Sequence, residues 1–257
     1  MNNEERDDLW HQIQDALDSG DENRVISLSK QLADAGDCRG SDTLGYVFLE
    51  KAKRISIASV DIDRENYITA AYWYSRALSQ GGGYESHNGL ATYYFYGLGD
   101  KYDFKLAYEH LKYCIEYVFI DQTQRAPVIR NIARNQIMMA ELLFLGLGTP
   151  KDVNAARKLF SEAALVGYPA AVRGLSRIEM AEKHYIRATQ LFFRAFRMAI
   201  KLAIEDKAHP LLAGIGGKWQ NFRRDRLRDT NNRMDQAELI IISEQYHQRS
   251  KSKGPNN

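Results

Sequence analysis

Apolar residues recur along the chain at steps of three and four, the spacing that places side chains on one face of an α-helix. Only five prolines interrupt the 257 residues, so long helical segments are expected. One stretch is nearly duplicated, because residues 139–148 (MAELLFLGLG) resemble residues 90–99 (LATYYFYGLG) at an offset of 49. Both stretches begin with a large apolar residue and alanine and end in Gly-Leu-Gly, which predicts an internal repeat.

A second pattern recurs more often and consists of an alanine, a large apolar residue four positions later, and a small residue three positions after that. These steps place the three side chains on one helical face. Small residues let another helix approach closely, and the large residue fills the space beside that contact. Each unit is therefore predicted to be a pair of antiparallel helices. The triplets are Ala70, Tyr74, Ala77; Ala107, Leu111, Cys114; Ala156, Phe160, Ala163; and Ala188, Phe192, Ala195.

Glycines mark the predicted helix ends. Gly36, Gly81 and Gly167 each follow a helical pattern, where glycine adopts the left-handed conformation at little cost. A glycine-rich loop can also bind phosphate, but no Lys-Ser or Lys-Thr follows these glycines and no strand precedes them. The first helix of each unit carries a large residue followed by a small one, namely Leu44-Gly45, Leu90-Ala91, Met139-Ala140 and Leu175-Ser176.

The units are unequal in length. The alanines that open the triplets are 37, 49 and 32 residues apart, with insertions predicted over 51–65 and 117–131. Helices over 9–19 and 23–35 precede the repeats. We therefore expect an N-terminal helical pair or cap at 1–36, a repeat solenoid at 37–205, a basic C-terminal helical cap at 206–250, and a disordered tail at 251–257.

The unit resembles the Sel-one-like repeat (SLR), a relative of the tetratricopeptide repeat. The resemblance runs from about residue 34 to residue 205 and is weakest in the last unit, which lacks both loop glycines. It implies an all-α fold, a right-handed solenoid of antiparallel helix pairs, and a scaffold or adaptor that holds another protein on its concave face. The residues that match best are Leu90, Ala91, Tyr94, Gly97, Gly99, Asp103, Ala107 and Leu111, then Met139, Ala140, Gly146, Gly148, Asp152, Ala156, Phe160, Ala163 and Gly167.

The composition of the chain excludes several classes of protein. With 44% hydrophobic residues, 11% aromatic residues and a net charge of +2, the chain is neither a mostly disordered protein nor a polycation. Two cysteines cannot form a disulfide scaffold, which favours a reducing compartment. The first residues contain no apolar run that would predict a signal peptide. No stretch of the sequence approaches the ~18 consecutive apolar residues that a membrane helix needs. A cytoplasmic protein is expected.

No grouping of residues predicts an enzyme. The six histidines are scattered, and only His110 and Cys114 have a spacing that suits half of a zinc site. Cys114 occupies the small-residue position of its triplet, so a packing role is favoured. Asp103 and Asp152 stand where a helix starts and suit the helix dipole better than acid catalysis. No catalytic residue, metal or cofactor is predicted.

Aromatic residues concentrate between positions 67 and 108. The repeat pattern assigns Tyr74 and Tyr94 to the core. A helix cannot bury the four consecutive aromatic positions 93–96 against one neighbour, so some of them are expected to face a groove. Tyrosine and tryptophan give contact area at low entropic cost. The predicted partner-binding residues, chosen as aromatics outside the core positions, are Tyr72, Trp73, Tyr93 and Tyr96.

The two ends of the chain carry opposite charge. Residues 1–22 hold eight acids and one base, and residues 218–253 hold nine bases and five acids. The basic residues Arg223, Arg224, Arg226 and Arg228 form a candidate patch for nucleic acid. A basic amphipathic helix is predicted over 184–206, and it is either buried under a C-terminal segment that includes residues 239–242 or exposed as a binding surface.

The function that the sequence favours is a non-catalytic scaffold whose concave face, formed by the first helices, binds another protein. An immunity-type protein that caps a toxin or effector is the specific variant of this function. Nucleic-acid binding through the basic C-terminal segment is the competing class, and a homodimer stays open.

Overall fold

The computed structural model describes residues 1–59, 63–99, 101–118 and 126–205. All regular structure in these ranges is α-helical, so the predicted all-α, solenoid-like fold class is confirmed. The chain divides into two compact units, Met1–Lys151 and Asp152–Asn257. The helices are α1 (Asn3–Ser19), α2 (Glu22–Asp34), α3 (Cys38–Ser59), α4 (Arg64–Ser79), α5 (Tyr84–Tyr96), α6 (Phe104–Val118), α7 (Ala126–Leu145), α8 (Val153–Leu165), α9 (Pro169–Ala181) and α10 (Tyr185–Glu205).

The N-terminal pair begins earlier than its apolar pattern suggests. Asn2 and Glu5 form a capping box, in which each side chain accepts a hydrogen bond from the other residue's backbone N–H, at 2.8 and 2.9 Å. Two orphan N–H groups are thereby satisfied, which stabilises the first turn of α1. Gly20 ends α1 in the left-handed conformation, and the Asp21 carboxylate caps α2.

Within the first unit, each helix from α2 to α7 packs on the one before it. Helix α3 also contacts α5, which is the first helix of the following pair. Successive helix pairs therefore stack along this unit. The small residues of the predicted triplets lie at the contacts, since Ala70, Ala77, Ala107 and Cys114 are all buried.

Large residues of the triplets fit against glycines on neighbouring helices. The Tyr74 ring of α4 lies between Gly45 of α3 and Gly89 of α5, and a Cβ at either glycine would come within 2.7 or 2.3 Å of the ring. In the second unit, Gly174 of α9 receives the Phe160 ring of α8, where a Cβ would come within 2.4 Å. The triplets and these glycines therefore set how closely adjacent pairs approach.

The two predicted insertions are partly helical. Helix α3 continues to Ser59 because its second half contains neither glycine nor proline. Helix α7 begins at Ala126, within the second insertion. Residues 60–62 and 119–125 lie outside the described residues.

In the second unit, α8 packs on α9 and α9 packs on α10. The Ser176 hydroxyl of α9 donates to the Ala188 carbonyl of α10 at 2.7 Å, so that the small residue of the pattern also joins the two helices. No helix among the described residues is both long and apolar enough to cross a membrane.

Replacing Gly89 by alanine is expected to destabilise the first unit. The new Cβ would overlap the Tyr74 ring, and such overpacking costs about 1–3 kcal/mol. Thermal or denaturant unfolding of the full chain measures the loss. The same substitution in a chain that also carries Tyr74→Leu is the control, because the smaller side chain leaves room for the new Cβ. An equal loss in the two backgrounds would contradict the packing role of Gly89.

Candidate partner-binding surface

Two of the predicted binding residues lie together on an exposed part of α4. Tyr72 is 57% exposed, and Ile68, one turn earlier, is 49% exposed. The Tyr72 ring meets the half-buried Trp73 ring edge to face at 5.2 Å. The Arg76 guanidinium lies 5.3 Å from the centre of the Trp73 ring and donates to the Asp34 carboxylate at 2.9 Å. We call Ile68, Tyr72 and Trp73 the α4 patch.

Tyr93 serves mainly in packing. It lies on α5, half-buried against the cluster that contains Tyr74 and Leu90. Its ring meets Tyr94 edge to face at 5.2 Å. Its hydroxyl lies so close to Gly99 that a Cβ there would come within 1.8 Å. Tyr93 therefore fixes the loop after α5 and exposes only part of its ring.

Tyr96 is buried, so the expectation that it lies outside the core is wrong. Only 7% of its surface is exposed, and its neighbour Phe95 is also buried. Helix α5 packs against α3, α4 and α6, so more than one of its faces is covered. A helix with one neighbour would leave part of residues 93–96 exposed, whereas packing on several sides covers them. Tyr94, which was expected in the core, is half-buried.

The four predicted residues do not form one surface. Tyr72 and Trp73 lie on α4, the second helix of its pair, whereas Tyr93 and Tyr96 lie on α5, the first helix of the next pair. A surface formed by first helices would therefore exclude Trp73 and also Tyr72, the most exposed of the four.

One exposed aromatic residue on a first helix was missed. Tyr46 of α3 is 51% exposed and lines a groove of about 290 Å³ among α1, α2 and α3. Leu17 and Val25 form the apolar side of this groove, and the ion pair between Glu22 and Arg54 lies at its edge. Tyr46 follows the large-small pair Leu44-Gly45, an off-core position in the repeat, which is the signal that could have identified it.

A stack of histidine and tyrosine rings joins α5 to α6. The Nδ1 atoms of His87 and His110 are 2.8 Å apart, so that one ring donates a hydrogen bond to the other. Tyr113 stacks on His87 at 3.8 Å, and Tyr94 lies parallel to His110 at 5.9 Å. Burial and the neighbouring His87 lower the pKa of His110 to about 4. The pair is therefore neutral at physiological pH.

Cys114 behaves as a packing residue. Its side chain is buried, and its Sγ lies 3.9 Å from the Tyr84 carbonyl oxygen, to which the thiol donates. Burial raises the pKa of the Cys114 thiol to about 12, so the thiolate that a zinc site requires is disfavoured.

The second unit holds a cluster with the spacing of metal ligands. Ligand atoms of Glu179, Glu182 and His184 lie within 4.8 Å of one another. Arg157 of α8, however, donates to the carboxylates of both Glu179 and Glu182. Burial raises the pKa of Glu179, but the hydrogen bonds from Arg157 and His184 outweigh it and leave this pKa lowered. The Arg187 guanidinium of α10 lies 3.6 Å from the Glu179 carboxylate, so two guanidinium groups face the two carboxylates in an ion-pair network.

The remaining predictions concern the C-terminal part of the chain. The candidate patch of Arg223, Arg224, Arg226 and Arg228 lies outside the described residues, as do the predicted cap at 206–250, the tail, and the covering residues 239–242. Helix α10 itself is described, and its aromatic side chains at positions 192, 193 and 196 are exposed.

The Sel1 repeat family model matches three segments of the chain, residues 59–82, 85–113 and 136–168. The predicted resemblance is thereby confirmed. The crystal structure of a Sel1 repeat protein from Oxalobacter formigenes is similar over 82% of this chain and 70% of that chain, at 18% identity and a TM-score of 0.30. The repeat assignment rests on the sequence match. A comparison with curated proteins found no match.

Tyr96→Ala is expected to destabilise the protein by about 3–5 kcal/mol, the usual cost of removing a buried aromatic ring. Tyr72→Ala removes an exposed ring and should change the stability by less than about 1 kcal/mol. Denaturant unfolding of both variants measures the difference. If Tyr96→Ala were as mild as Tyr72→Ala, the burial of Tyr96 in the folded protein would be refuted.

The His87–His110 pair is expected to make stability depend on pH. Since the pKa of His110 lies at about 4 in the folded protein and at an ordinary 6.5 in the unfolded chain, the unfolded chain binds more protons between these values. Stability from this group is complete above about pH 6.5 and is lost as the pH falls toward 4.

Melting temperatures of the wild type and His110→Gln, measured from pH 7.5 to pH 4.5, check this dependence. The difference between the two proteins should be largest at pH 7.5 and shrink as the pH falls. His11→Gln, on an exposed position of α1, is the control. Parallel curves for wild type and His110→Gln would contradict the shifted pKa.

Proposed function

Since this chain is a helical protein with Sel1-like repeats, we propose that it is a non-catalytic scaffold that binds a partner protein through the α4 patch. Sel1 repeats mediate interactions between proteins, which supports the general class. The more specific assignment depends on one observation, the exposure of Tyr72 beside Ile68 and Trp73.

The α4 patch has the composition of an interface centre. Tyrosine, tryptophan and arginine are the residue types that most often dominate binding energy. The Trp73 ring contacts both the Tyr72 ring and the Arg76 guanidinium, and Arg76 is itself paired with Asp34. Side chains that are already ordered lose little conformational entropy on binding. The patch therefore offers apolar area in a fixed arrangement.

Two alternative functions are tested by the same experiment. An immunity-type protein would use the same contact with a toxin or effector as its partner. Nucleic-acid binding would depend on Arg223, Arg224, Arg226 and Arg228, which lie outside the described residues, and would weaken steeply with salt. The α4 patch favours a protein partner because it presents aromatic and aliphatic side chains.

Site-specific photo-crosslinking in the native host tests the proposal. A photoreactive phenylalanine analogue replaces Tyr72 in one variant of the full chain. It replaces Leu165 in the control, an apolar side chain at the end of α8 that is 89% exposed and lies outside the α4 patch. A third variant carries the analogue at Tyr46, the exposed aromatic of a first helix. We expect position 72 alone to give a discrete crosslinked protein, which mass spectrometry identifies.

Each outcome separates the candidates. A toxin or effector as the captured protein would establish the immunity-type variant, and a product of twice the chain's mass would indicate a homodimer. Capture at position 46 but not at 72 would move the contact to the first helices and refute the α4 patch. Absence of any protein adduct, together with binding of DNA or RNA at about 50 mM salt, would favour the nucleic-acid alternative.

A further inference from the structure

Helix α10 has three distinct faces. Its buried face holds Ala188 and Ala195, which are covered in the second unit. The cationic face carries Arg187, Arg194, Arg197 and Lys201, and residues 185–201 include no acid. The third face, which we call the aromatic face of α10, consists of exposed apolar side chains at helical spacing. These are Tyr185, Ile186, Phe192, Phe193, Phe196 and Ile200.

Helix α1, the first helix of the chain, has no such exposed apolar face. Helix α1 buries Leu9, Ile13 and Ala16, and the exposed positions along it are polar. Repeat arrays require a polar outer face on their terminal unit to stay in solution. The aromatic face of α10 is therefore the surface of an inner repeat rather than that of a terminal one.

Phe192 is far more exposed than the equivalent residues of the other repeat units. It occupies the large position of its triplet, where the other units have Tyr74, Leu111 and Phe160. Those three residues are 5%, 0% and 0% exposed, whereas Phe192 is 52% exposed.

The first helix of the following pair receives the large residue in the other units. Gly89 of α5 lies against Tyr74, and Gly174 of α9 lies against Phe160. Each of these glycines is followed by a large residue and a small one, as Gly89-Leu90-Ala91 and Gly174-Leu175-Ser176. Where Met138 takes the place of the glycine, the large residue is the smaller Leu111, and both are fully buried.

Only one such triplet occurs in the sequence after α10. It is Gly214-Ile215-Gly216, and it follows Pro210 by four residues. In α9, Gly174 follows Pro169, the first residue of the helix, by five residues. Proline is favoured at the first position of a helix, as Pro169 shows, and the sequence around Pro210 suits the same role.

We propose that residues 210–222 form the first helix of a further repeat unit, which packs on the aromatic face of α10 with Gly214 against the Phe192 ring. Pro210 follows Glu205, the last described residue of α10, by five positions, and Pro169 follows Leu165, the last residue of α8, by four. Residues 239–242 offer large side chains but no glycine that could receive the ring.

The test depends on whether the side chains at positions 192 and 214 fit together. Gly214→Met in the full chain should lower the melting temperature by about 5 °C, because the new side chain overlaps Phe192. Phe192→Leu in the same chain should remove most of this loss, since it recreates the Leu111 and Met138 pairing. Without docking, Gly214→Met should leave the melting temperature unchanged or raise it, because methionine favours a helix more than glycine does.

Two controls match these variants. Gly217→Met lies in the same segment, at the position that corresponds to the half-buried Thr92 and Arg177, and should be tolerated. Phe193→Leu changes a neighbouring exposed ring and should not rescue Gly214→Met. Far-UV circular dichroism of each variant verifies that the ten described helices still form.

The proposal is overturned if Gly214→Met costs no stability, or if its cost is the same with Phe192 and with Leu at position 192. It is also overturned if the aromatic face of α10 proves to bind something else. That result would be a Phe192-dependent dimer in light scattering, or Phe192-dependent sedimentation with vesicles of phosphatidylglycerol. Loss with specific rescue by Phe192→Leu establishes the contact, and it does so independently of the α4 patch.

Discussion

The fit of a large side chain into a space left by glycine is the constraint on which the helix stacking depends. Tyr74 can lie between α3 and α5 only because neither Gly45 nor Gly89 has a Cβ, and Phe160 depends on Gly174 in the same way. Close packing of the ring against the two backbones thereby limits how near one pair can approach the next. Alanines beside each ring complete the contact, so a periodic sequence gives a periodic stack.

This stacking also decides which aromatic residues reach the surface. Helix α5 is packed by α3, α4 and α6, so Phe95 and Tyr96 are buried and Tyr93 is partly covered. Helix α4 keeps an outward face, and there Tyr72 stays exposed beside Trp73. The α4 patch is thus a consequence of where the repeat leaves a helix without a further neighbour, and the ion pair of Arg76 with Asp34 orders it.

Residue pattern predicted the core well and the surface poorly. The triplet positions and the glycine helix ends follow from steps of three and four and from backbone sterics, both of which are local. Tyr96 is buried and Tyr46 is exposed because different numbers of helices surround them. The residue pattern within one helix does not reveal how many helices pack around it. The His87–His110 pair joins residues 23 positions apart on α5 and α6, and the spacing of the histidines within either helix gives no sign of it.

By itself, the sequence determined the all-α class, the repeat, and the small and large positions at which helices meet, because these depend on periodicity and side-chain volume. Only the tertiary structure decided that Tyr74 lies between two glycines, that Tyr96 is core, that Arg157 pairs with both Glu179 and Glu182, and that Phe192 is exposed. Each of these depends on contacts between helices distant in sequence. Burial and charge balance are set by the number and identity of such neighbours, which no local pattern records.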